Sequence, residues 1–318
     1  MIEARGLTKR YGSTLAVDGL SFDVLPGRVT GFLGPNGAGK STTLRMVVGL
    51  DAPTQGTVTI SGRPYTSLRR PLFEVGAMLE AGAIHDGRSA YNHLLCVAQS
   101  NGIGRRRVEE VLAIVGLTSV ARKRAGQFSM GMSQRLGIGV ALLGDPELLI
   151  FDEPVNGLDP EGIVWIRNLM RRLAGEGRSV FVSSHLMAEM ALTADHVIVI
   201  GKGRLLAEAS VEDLIHGSSQ NFVRVRSLES AGLASLIGAL GASSRLESDG
   251  ALAVTGISAA VIGDLAAAQG IVLHELSPQE ASLEEAYLEL TRDSVEFRAG
   301  LPGSDALAAA AAPNGEVA

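Results

Sequence analysis

The sequence predicts an α/β domain followed by a small α+β domain, and three observations support this fold class. From residue 1 to about residue 215, short apolar runs alternate with segments of helical periodicity. A glycine-rich loop at residues 34–42 joins one of these runs to a helical segment. Beyond residue 220 the pattern changes to the order β-α-β-β-α-β, which is typical of the ferredoxin-like arrangement.

The composition is that of a globular protein. The chain has 318 residues, of which 46% are hydrophobic and 19% charged, so it can bury the cores of two domains. The formal net charge of -6 argues against a general affinity for nucleic acid or for anionic lipid. Cys96 is the only cysteine, which excludes an internal disulfide and is typical of a reducing compartment.

The sequence contains no segment that we expect to enter a membrane by itself. The N-terminal segment Met1–Tyr11 carries charges and lacks the apolar core of a signal peptide. The longest apolar stretch, Leu136–Phe151, is interrupted by Asp145, Pro146 and Glu147 and is too short to span a bilayer. We therefore expect any membrane role to depend on a partner.

The first domain is predicted over residues 1–217. Strand patterns occupy Val29–Leu33, Val58–Ile60, Val75–Leu79, Leu148–Phe151, Val180–Ser183 and Val197–Ile200. One helix follows the glycine loop, and the stretch between residues 81 and 132 is mostly helical. The helical segments are Ser41–Val48, Tyr91–Ser100 and Arg106–Val115. We interpret the long helical stretch as a subdomain inserted into the α/β domain.

The second domain is predicted over residues 218–295, after a linker at His216–Gln220. Its strand patterns are Phe222–Arg226, Ser243–Glu247, Ala251–Thr255 and Ile271–Leu276, and its helical patterns are Leu228–Leu240, Ser258–Gln269 and Ser282–Thr291. The Asp249-Gly250 pair between the second and third of these segments is a strong hairpin signal. The tail, residues 296–318, is rich in Ala, Gly and Pro and is predicted to be disordered.

The glycine loop matches the pattern GxxxxGK[ST] between a strand and a helix. Backbone N–H groups of such a loop can surround phosphate oxygens because glycine has no Cβ, and the helix N-terminus adds its positive dipole end. We expect Lys40 to reach the terminal phosphates and the Ser41 hydroxyl to ligate Mg²⁺. The predicted phosphate-binding residues are Gly34, Pro35, Asn36, Gly37, Ala38, Gly39, Lys40, Ser41 and Thr42.

Three further motifs follow along the chain. Asp152 and Glu153 end an apolar strand, where Asp152 can hold Mg²⁺ and Glu153 can activate water as a general base. Ser129 is a candidate N-cap of a helix, whose N-terminus is an anion site, and His185 follows another strand. Taken singly, Ser129 is consistent with a simple cap and His185 with an ordinary strand end. Their order along the chain favours one composite nucleotide site.

This ordered set resembles the nucleotide-binding domain of ABC ATPases, a class of P-loop NTPases, over roughly residues 1–217. The resemblance implies that Tyr11 stacks on adenine. It implies that Ser129 and Gly131 of the family signature reach the γ-phosphate held by a second copy, and that Asp159 lies in the loop at that interface. The implied assembly is a head-to-tail dimer that encloses ATP with Mg²⁺. The residues that the resemblance makes catalytic are Lys40, Glu153 and His185.

Two positions depart from the family pattern. Met130 and Met132 flank a single Gly131, where the usual signature has paired glycines followed by glutamine. Glu80 stands where the family has a glutamine that joins Mg²⁺ to the membrane partner, and we expect Glu80 to be a further metal ligand. Both departures, and the closing segment Ser282–Thr291, are similar to export ATPases of the bacitracin- and daunorubicin-resistance type.

The resemblance implies an ATP-hydrolysing subunit, peripheral at the cytoplasmic face of the membrane. It would drive a separate polytopic permease that exports drugs, antibiotics or lipid-like compounds. One alternative is a soluble ABC-type ATPase of ribosomes or DNA, but the chain has one motif set and no room for a coiled-coil arm between Lys40 and Asp152. The other is a regulatory module without turnover, favoured only by the altered signature and Glu80.

The arginine runs at residues 105–107 and 122–124 lack interleaved aromatics, so we predict solvated helix ends and no nucleic-acid partner.

Overall fold

The computed structural model describes residues 1–80 and 82–291. Up to residue 217 its strands are β1 (Ile2–Tyr11), β2 (Thr14–Val24), β3 (Val29–Leu33), β4 (Gln55–Ile60), β5 (Val75–Met78), β6 (Leu148–Asp152), β7 (Ser179–Ser184), β8 (His196–Gly201) and β9 (Arg204–Ser210). The helices of the same stretch are α1 (Lys40–Val47), α2 (Pro71–Glu74), α3 (Ala90–Ser100), α4 (Arg105–Ile114), α5 (Met130–Leu142), α6 (Pro160–Gly175), α7 (Met187–Thr193) and α8 (Val211–His216).

A six-stranded sheet in the order β5-β6-β7-β3-β8-β9 forms the centre of the larger unit. Neighbouring strands are parallel except for the antiparallel pair β8 and β9. Every residue of β3 and β7 is buried, which explains why these strands appear as continuous apolar runs in the sequence. Because β3, β6 and β7 are parallel, the glycine loop, the acidic pair and His185, which follow them, meet at one edge of the sheet.

A second sheet, absent from our prediction except for part of β4, packs over the first. Its order is β2-β1-β4, and both pairs are antiparallel. The phenyl rings of Phe22 on β2 and Phe32 on β3 have centroids 5.7 Å apart, and Phe32 lies 5.2 Å from Phe181 on β7. These contacts join the two sheets through a core that each contributes to.

The inserted helical stretch consists of α3, α4 and α5, which pack on one another beside the central sheet. The two predicted amphipathic helices are confirmed within one residue at their starts. One detail of the prediction is wrong, because Arg107 is not a solvated helix end. Its guanidinium donates to the Leu142 and Leu143 carbonyl oxygens at 2.8 and 3.2 Å and pairs with Asp145. The unpaired carbonyls at the end of α5 attract this cation.

The smaller unit consists of β10 (Phe222–Ser227), α9 (Ser230–Ala239), β11 (Ser243–Leu246), β12 (Leu252–Thr255), α10 (Ala259–Ala268) and β13 (Leu273–Gln279). Its strands lie in the order β11-β12-β10-β13 and all pairs are antiparallel. Val225 and Val254 of the sheet and Leu233 and Ile262 of the two helices share one buried core, so both helices cover the same face.

The last described helix, α11 (Leu283–Thr291), leaves the smaller unit and packs on α7 and α8 of the larger one. Leu283 and Tyr287 are buried there and belong to the main core. Ser218 and Ser219 in the linker both donate to the Glu289 carboxylate, at 3.0 and 3.2 Å. None of the helices within residues 1–80 and 82–291 combines the length and apolarity needed to cross a bilayer. The predicted tail at residues 296–318 lies outside the described residues.

Candidate active site

The glycine loop between β3 and α1 has backbone conformations that require glycine. Gly37 and Gly39 have φ angles of 81° and 99°, a region that other residues rarely adopt. A Cβ on Gly39 would lie 2.5 Å from the Ala16 carbonyl oxygen, and one on Gly34 would lie 2.7 Å from that of Ile200. The loop is therefore seated closely against neighbouring backbone. The first N–H groups of α1 have no partner within the helix and face the loop.

Lys40, the first residue of α1, is 7% exposed. Its ammonium donates to the carbonyl oxygens of Gly34 and Pro35 at 2.7 and 3.4 Å and lies 3.6 Å from Glu153 Oε1. Burial lowers the pKa of Lys40, and the carboxylates of Glu153 and Asp152 oppose that shift. The lysine thus joins the glycine loop to the acidic pair.

Glu153 stands at the centre of these contacts. Its backbone has a φ of 49°, which is uncommon for a residue with a Cβ. One oxygen of its carboxylate lies near Lys40 and the other lies 2.8 Å from His185 Nδ1. The structure therefore brings the three predicted catalytic residues into one continuous chain of contacts: Lys40, Glu153 and His185.

Two further residues hold this acidic pair, and sequence reasoning gave neither of them a role. The Ser183 hydroxyl donates a short hydrogen bond to Asp152 Oδ1 and accepts one from the Glu153 N–H at 3.0 Å. Gln134 Nε2 donates to the Glu153 carbonyl oxygen at 3.2 Å. The only sequence signal for Ser183 is a hydroxyl at the end of a buried strand whose centre is apolar, and for Gln134 an amide in a mostly apolar helix.

The three predicted metal ligands, Ser41, Glu80 and Asp152, line one cavity of about 570 Å³. Their hydroxyl and carboxylate oxygens are the donors that Mg²⁺ prefers. Within residues 1–80 and 82–291 no cluster of three or more His, Cys, Asp or Glu side chains is suited to a metal. Since Mg²⁺ commonly takes one or two carboxylates and completes its shell with water and phosphate, these residues fit an ion that arrives with a nucleotide.

The signature residues lie on a different surface, where the start of α5 meets the loop before α6. Ser129 caps α5 by accepting from a backbone N–H of its first turn at 3.3 Å, as predicted. Asp159 caps α6 in the same way at 2.9 Å. A Cβ added to Gly131 would lie 3.1 Å from the Gly157 carbonyl oxygen, and the 63% exposed Met130 covers Gly157 directly.

Within the described residues, the signature surface makes no direct polar contact with the glycine loop. In the described part of the molecule, Ser129 and Gly131 form no hydrogen bond or ion pair with the loop at residues 34–42. Their link is indirect, because α5 begins at the signature and carries Gln134, which binds the Glu153 backbone. The signature and the glycine loop are thus connected within the described chain only through α5 and Glu153 as far as polar contacts go.

Tyr11 lies at the end of β1, with 45% of its surface exposed. Its hydroxyl donates to Asp51 Oδ2 at 2.9 Å, and the Lys9 ammonium lies 4.9 Å from the ring centroid. Burial, and the hydrogen bond with Asp51, raise the pKa of Tyr11. Asp51 also pairs with Arg45 of α1 at 2.8 Å, so Tyr11 is tied to the helix that follows the glycine loop.

Comparison with known proteins identifies the larger unit. The family profile described as ABC transporter matches residues 17–156, which include the glycine loop, the signature and the acidic pair. A profile described as an AAA domain, putative AbiEii toxin, Type IV TA system, matches residues 123–191, and a domain of unknown function matches residues 221–284.

Relatives and solved structures agree with this match. The bacitracin transport ATP-binding protein BcrA of Bacillus licheniformis is 44% identical over 217 residues, which are 67% of this chain and 71% of that protein. The uncharacterized ABC transporter ATP-binding protein YhcH of Bacillus subtilis is 36% identical over 301 residues, which are 93% and 97% of the two chains.

Among solved structures, an ATP-binding subunit of an ABC transporter has a TM-score of 0.62 and 27% identity, covering 68% of this chain and 92% of its own. A dimeric bacterial ABC transporter cassette has a TM-score of 0.62 and 25% identity, covering 66% and 98%. The predicted α/β P-loop fold is thereby confirmed. With its loop, acidic pair and signature inside the matched span, the chain belongs to the ATP-binding proteins of ABC transporters and is an ATPase of that class.

Proposed function

We propose that this chain hydrolyses ATP at the site formed by the glycine loop, Lys40, Glu153 and His185. The observation that supports these roles most directly is the position of the Glu153 carboxylate, 3.6 Å from the Lys40 ammonium and 2.8 Å from His185 Nδ1. A carboxylate beside a phosphate-binding loop can accept the proton of an attacking water.

Each residue then has a distinct task. Backbone N–H groups of the loop at residues 34–42 bind the phosphates, and Lys40 exchanges its contact with Glu153 for phosphate oxygens. The freed Glu153 orients water and takes its proton, while His185 donates a hydrogen bond to the γ-phosphate. Tyr11 stacks on the adenine ring. The residues that would hold Mg²⁺, which neutralises phosphate charge when bound, are Ser41, Asp152 and Glu80.

The complete site requires a second copy of the chain. The lack of a direct polar contact between the signature and the glycine loop within the described residues supports a head-to-tail dimer, in which Ser129 and Gly131 of each copy reach the nucleotide of the other. Both residues lie at the N-terminus of α5, where N–H groups attract an anion. Asp159 on the adjoining loop would lie at the same interface.

The dimer would act peripherally, at the cytoplasmic face of a membrane, on a separate polytopic permease that docks near residues 80–94. The names of relatives support a transport role, and one of them, the Nod factor export ATP-binding protein I of Burkholderia orbicola at 37% identity, supports export. They include bacitracin transport ATP-binding proteins at 44% and 40% identity and a lantibiotic transport ATP-binding protein at 35%. We infer that the cargo is a drug, an antibiotic or a lipid-like compound.

The smaller unit is proposed to be a ferredoxin-like domain within residues 218–295, following the ATPase domain at residues 1–217. Its element order, its strand order β11-β12-β10-β13 and the two helices on one face support this arrangement. Because α11 packs on α7, which follows His185, we propose that this domain restrains the histidine and tunes turnover.

Glu153→Gln tests the proposed chemistry, with Glu147→Gln just before the same strand as the matched control. We expect Glu153→Gln to bind ATP, to lose about 10²–10⁴-fold in hydrolysis rate, and to accumulate as an ATP-bound dimer measurable by light scattering. Glu147→Gln should resemble the wild type. Unchanged hydrolysis in Glu153→Gln would remove Glu153 as the base. Affinity capture from solubilised membranes should recover a polytopic protein, whereas ribosomal proteins or DNA would favour the soluble alternative.

A further inference from the structure

The two acids of the site are connected to the neighbouring strand through one hydroxyl group. Ser183 lies on β7, directly opposite Asp152 in the parallel pair with β6, and is fully buried. Its Oγ donates to Asp152 Oδ1 and accepts from the Glu153 N–H at 3.0 Å. We propose that Ser183 is a positioning residue for ATP hydrolysis, which fixes the Asp152 carboxylate and the Glu153 backbone relative to each other. This inference rests on the proposed roles of those two acids.

The directions of both hydrogen bonds follow from the chemistry of the groups. A carboxylate that accepts and an N–H that donates leave a single arrangement, in which the one hydroxyl proton points to Asp152 and a lone pair of the oxygen points to Glu153. The one hydroxyl proton is therefore used, and both partners are fixed by the same oxygen atom. A residue without a hydroxyl at position 183 would remove this partner from a half-buried carboxylate oxygen and leave the Glu153 N–H with the Ser183 carbonyl oxygen alone.

The backbone of Glu153 explains why such a restraint matters. Its φ of 49° is a strained conformation that surrounding structure must maintain. The N–H of Glu153 is also 3.3 Å from the Ser183 carbonyl oxygen, so one residue supplies two acceptors to this N–H. The turn sends the Glu153 side chain toward Lys40 and His185, while Asp152 stays in line with the strand. Ser183 therefore fixes the Asp152 carboxylate, which would hold Mg²⁺, relative to the backbone of Glu153, the proposed general base.

The adjacent serine, Ser184, contacts neither Asp152 nor Glu153 through its hydroxyl and has a different role. The Ser184 hydroxyl accepts from the Leu186 N–H at 3.0 Å and so shapes the loop that contains His185. Ser179, at the start of β7, is also buried, and its backbone pairs with the chain before β6 far from the acids. Ser179→Ala is thus a matched control for the loss of a buried serine hydroxyl from the same strand.

The test compares Ser183→Ala, Ser183→Thr and Ser179→Ala in the full chain. We expect Ser183→Ala to lower kcat by about 10–100-fold, the loss usual when a residue that orients a metal ligand is removed. The second readout is the affinity for a fluorescent ATP analogue in EDTA and in Mg²⁺. The affinity in EDTA should stay unchanged, which also shows that the site is folded, while the gain on adding Mg²⁺ should shrink several-fold. Ser183→Thr, which keeps a hydroxyl, should restore both quantities at least in part.

The outcomes distinguish this inference from the function on which it rests. If Glu153→Gln abolishes hydrolysis but Ser183→Ala matches Ser179→Ala in kcat and in its Mg²⁺-dependent affinity, the role of Ser183 is wrong and that of Glu153 stands. If Glu153→Gln hydrolyses ATP normally, the proposed chemistry fails first. Equal loss of affinity in EDTA and in Mg²⁺ for Ser183→Ala would indicate general damage and would also overturn the positioning role.

Discussion

Replacing Gly39 with alanine provides a quantitative test of how the phosphate-binding loop is built. Gly39 precedes α1 with a φ of 99°, and an added Cβ would lie 2.5 Å from the carbonyl oxygen of Ala16. Both atoms that meet are attached to backbone, so neither can rotate away. The loop or β2 must move, and the loop carries the N–H groups that we propose bind phosphate.

The loss of stability expected for Gly39→Ala has two parts, and the variant Gly27→Ala separates them. Forcing a residue with a Cβ into a positive φ costs about 1–2 kcal/mol, and relieving an overpacked contact adds about 1–3 kcal/mol. Gly27 has a φ of 73° and no atom within 4 Å of an added Cβ, so Gly27→Ala should show the first part alone. We therefore expect Gly39→Ala to lower the free energy of unfolding by about 2–5 kcal/mol and Gly27→Ala by about 1–2 kcal/mol.

Urea unfolding and ATP-analogue binding measure the two effects. Gly39→Ala should weaken nucleotide affinity by at least about tenfold, since displaced N–H groups lose charge-assisted hydrogen bonds worth about 1.5–3 kcal/mol each. Gly27→Ala should bind normally. Equal destabilisation of the two variants, or full ATP affinity in Gly39→Ala, would refute the inference that this backbone contact shapes the loop.

Two further predictions concern packing and pH. Leu283→Ala should lower the free energy of unfolding by about 2–5 kcal/mol in the transition that ATP stabilises, because Leu283 belongs to the core of the larger unit. Leu233→Ala should instead destabilise the smaller unit. An effect of Leu283→Ala on the ATP-insensitive transition alone would contradict the position of α11. Burial, with Arg88 and His85 nearby, lowers the pKa of His93. Its neutral form therefore favours folding above the unfolded pKa of about 6.5, and this contribution is lost as the pH falls below that value. Urea titrations between about pH 7 and pH 5 should show a steeper loss of stability in the wild type than in His93→Leu, and parallel curves would show that His93 contributes nothing.

The strands of the central sheet were predictable because burial on both faces leaves a continuous apolar run, as in β3, β6 and β7. Strands β1 and β2 escaped prediction for a physical reason. Their pairing shifts register repeatedly, with Gly6 and Gly19 at positive φ, so the alternation of buried and exposed residues is broken. Strand β9 carries a weak pattern because it is half exposed at the edge of the sheet.

The site was predictable where a motif is local and not where contacts depend on tertiary alignment. The glycine loop and the acidic pair each lie within a few consecutive residues, so their chemistry can be predicted from the sequence alone. Ser183 acquires its partners only when β7 aligns in register beside β6. Gln134 likewise reaches Glu153 only because α5 crosses the end of that strand. Neither alignment is encoded in the spacing of the residues themselves.

The position of α11 has a consequence for how this chain can be divided. The polypeptide leaves the larger unit at the linker and returns to it through Leu283 and Tyr287, whose side chains fill an apolar recess beside α7 and α8. A truncation at residue 217 would therefore open this recess to water instead of releasing an intact ATPase. Excising the stretch between the linker and α11, and bridging the gap, would keep the recess filled. The larger unit is thus built from two stretches of the chain, the residues before the linker and α11, and the smaller unit lies between them in the sequence.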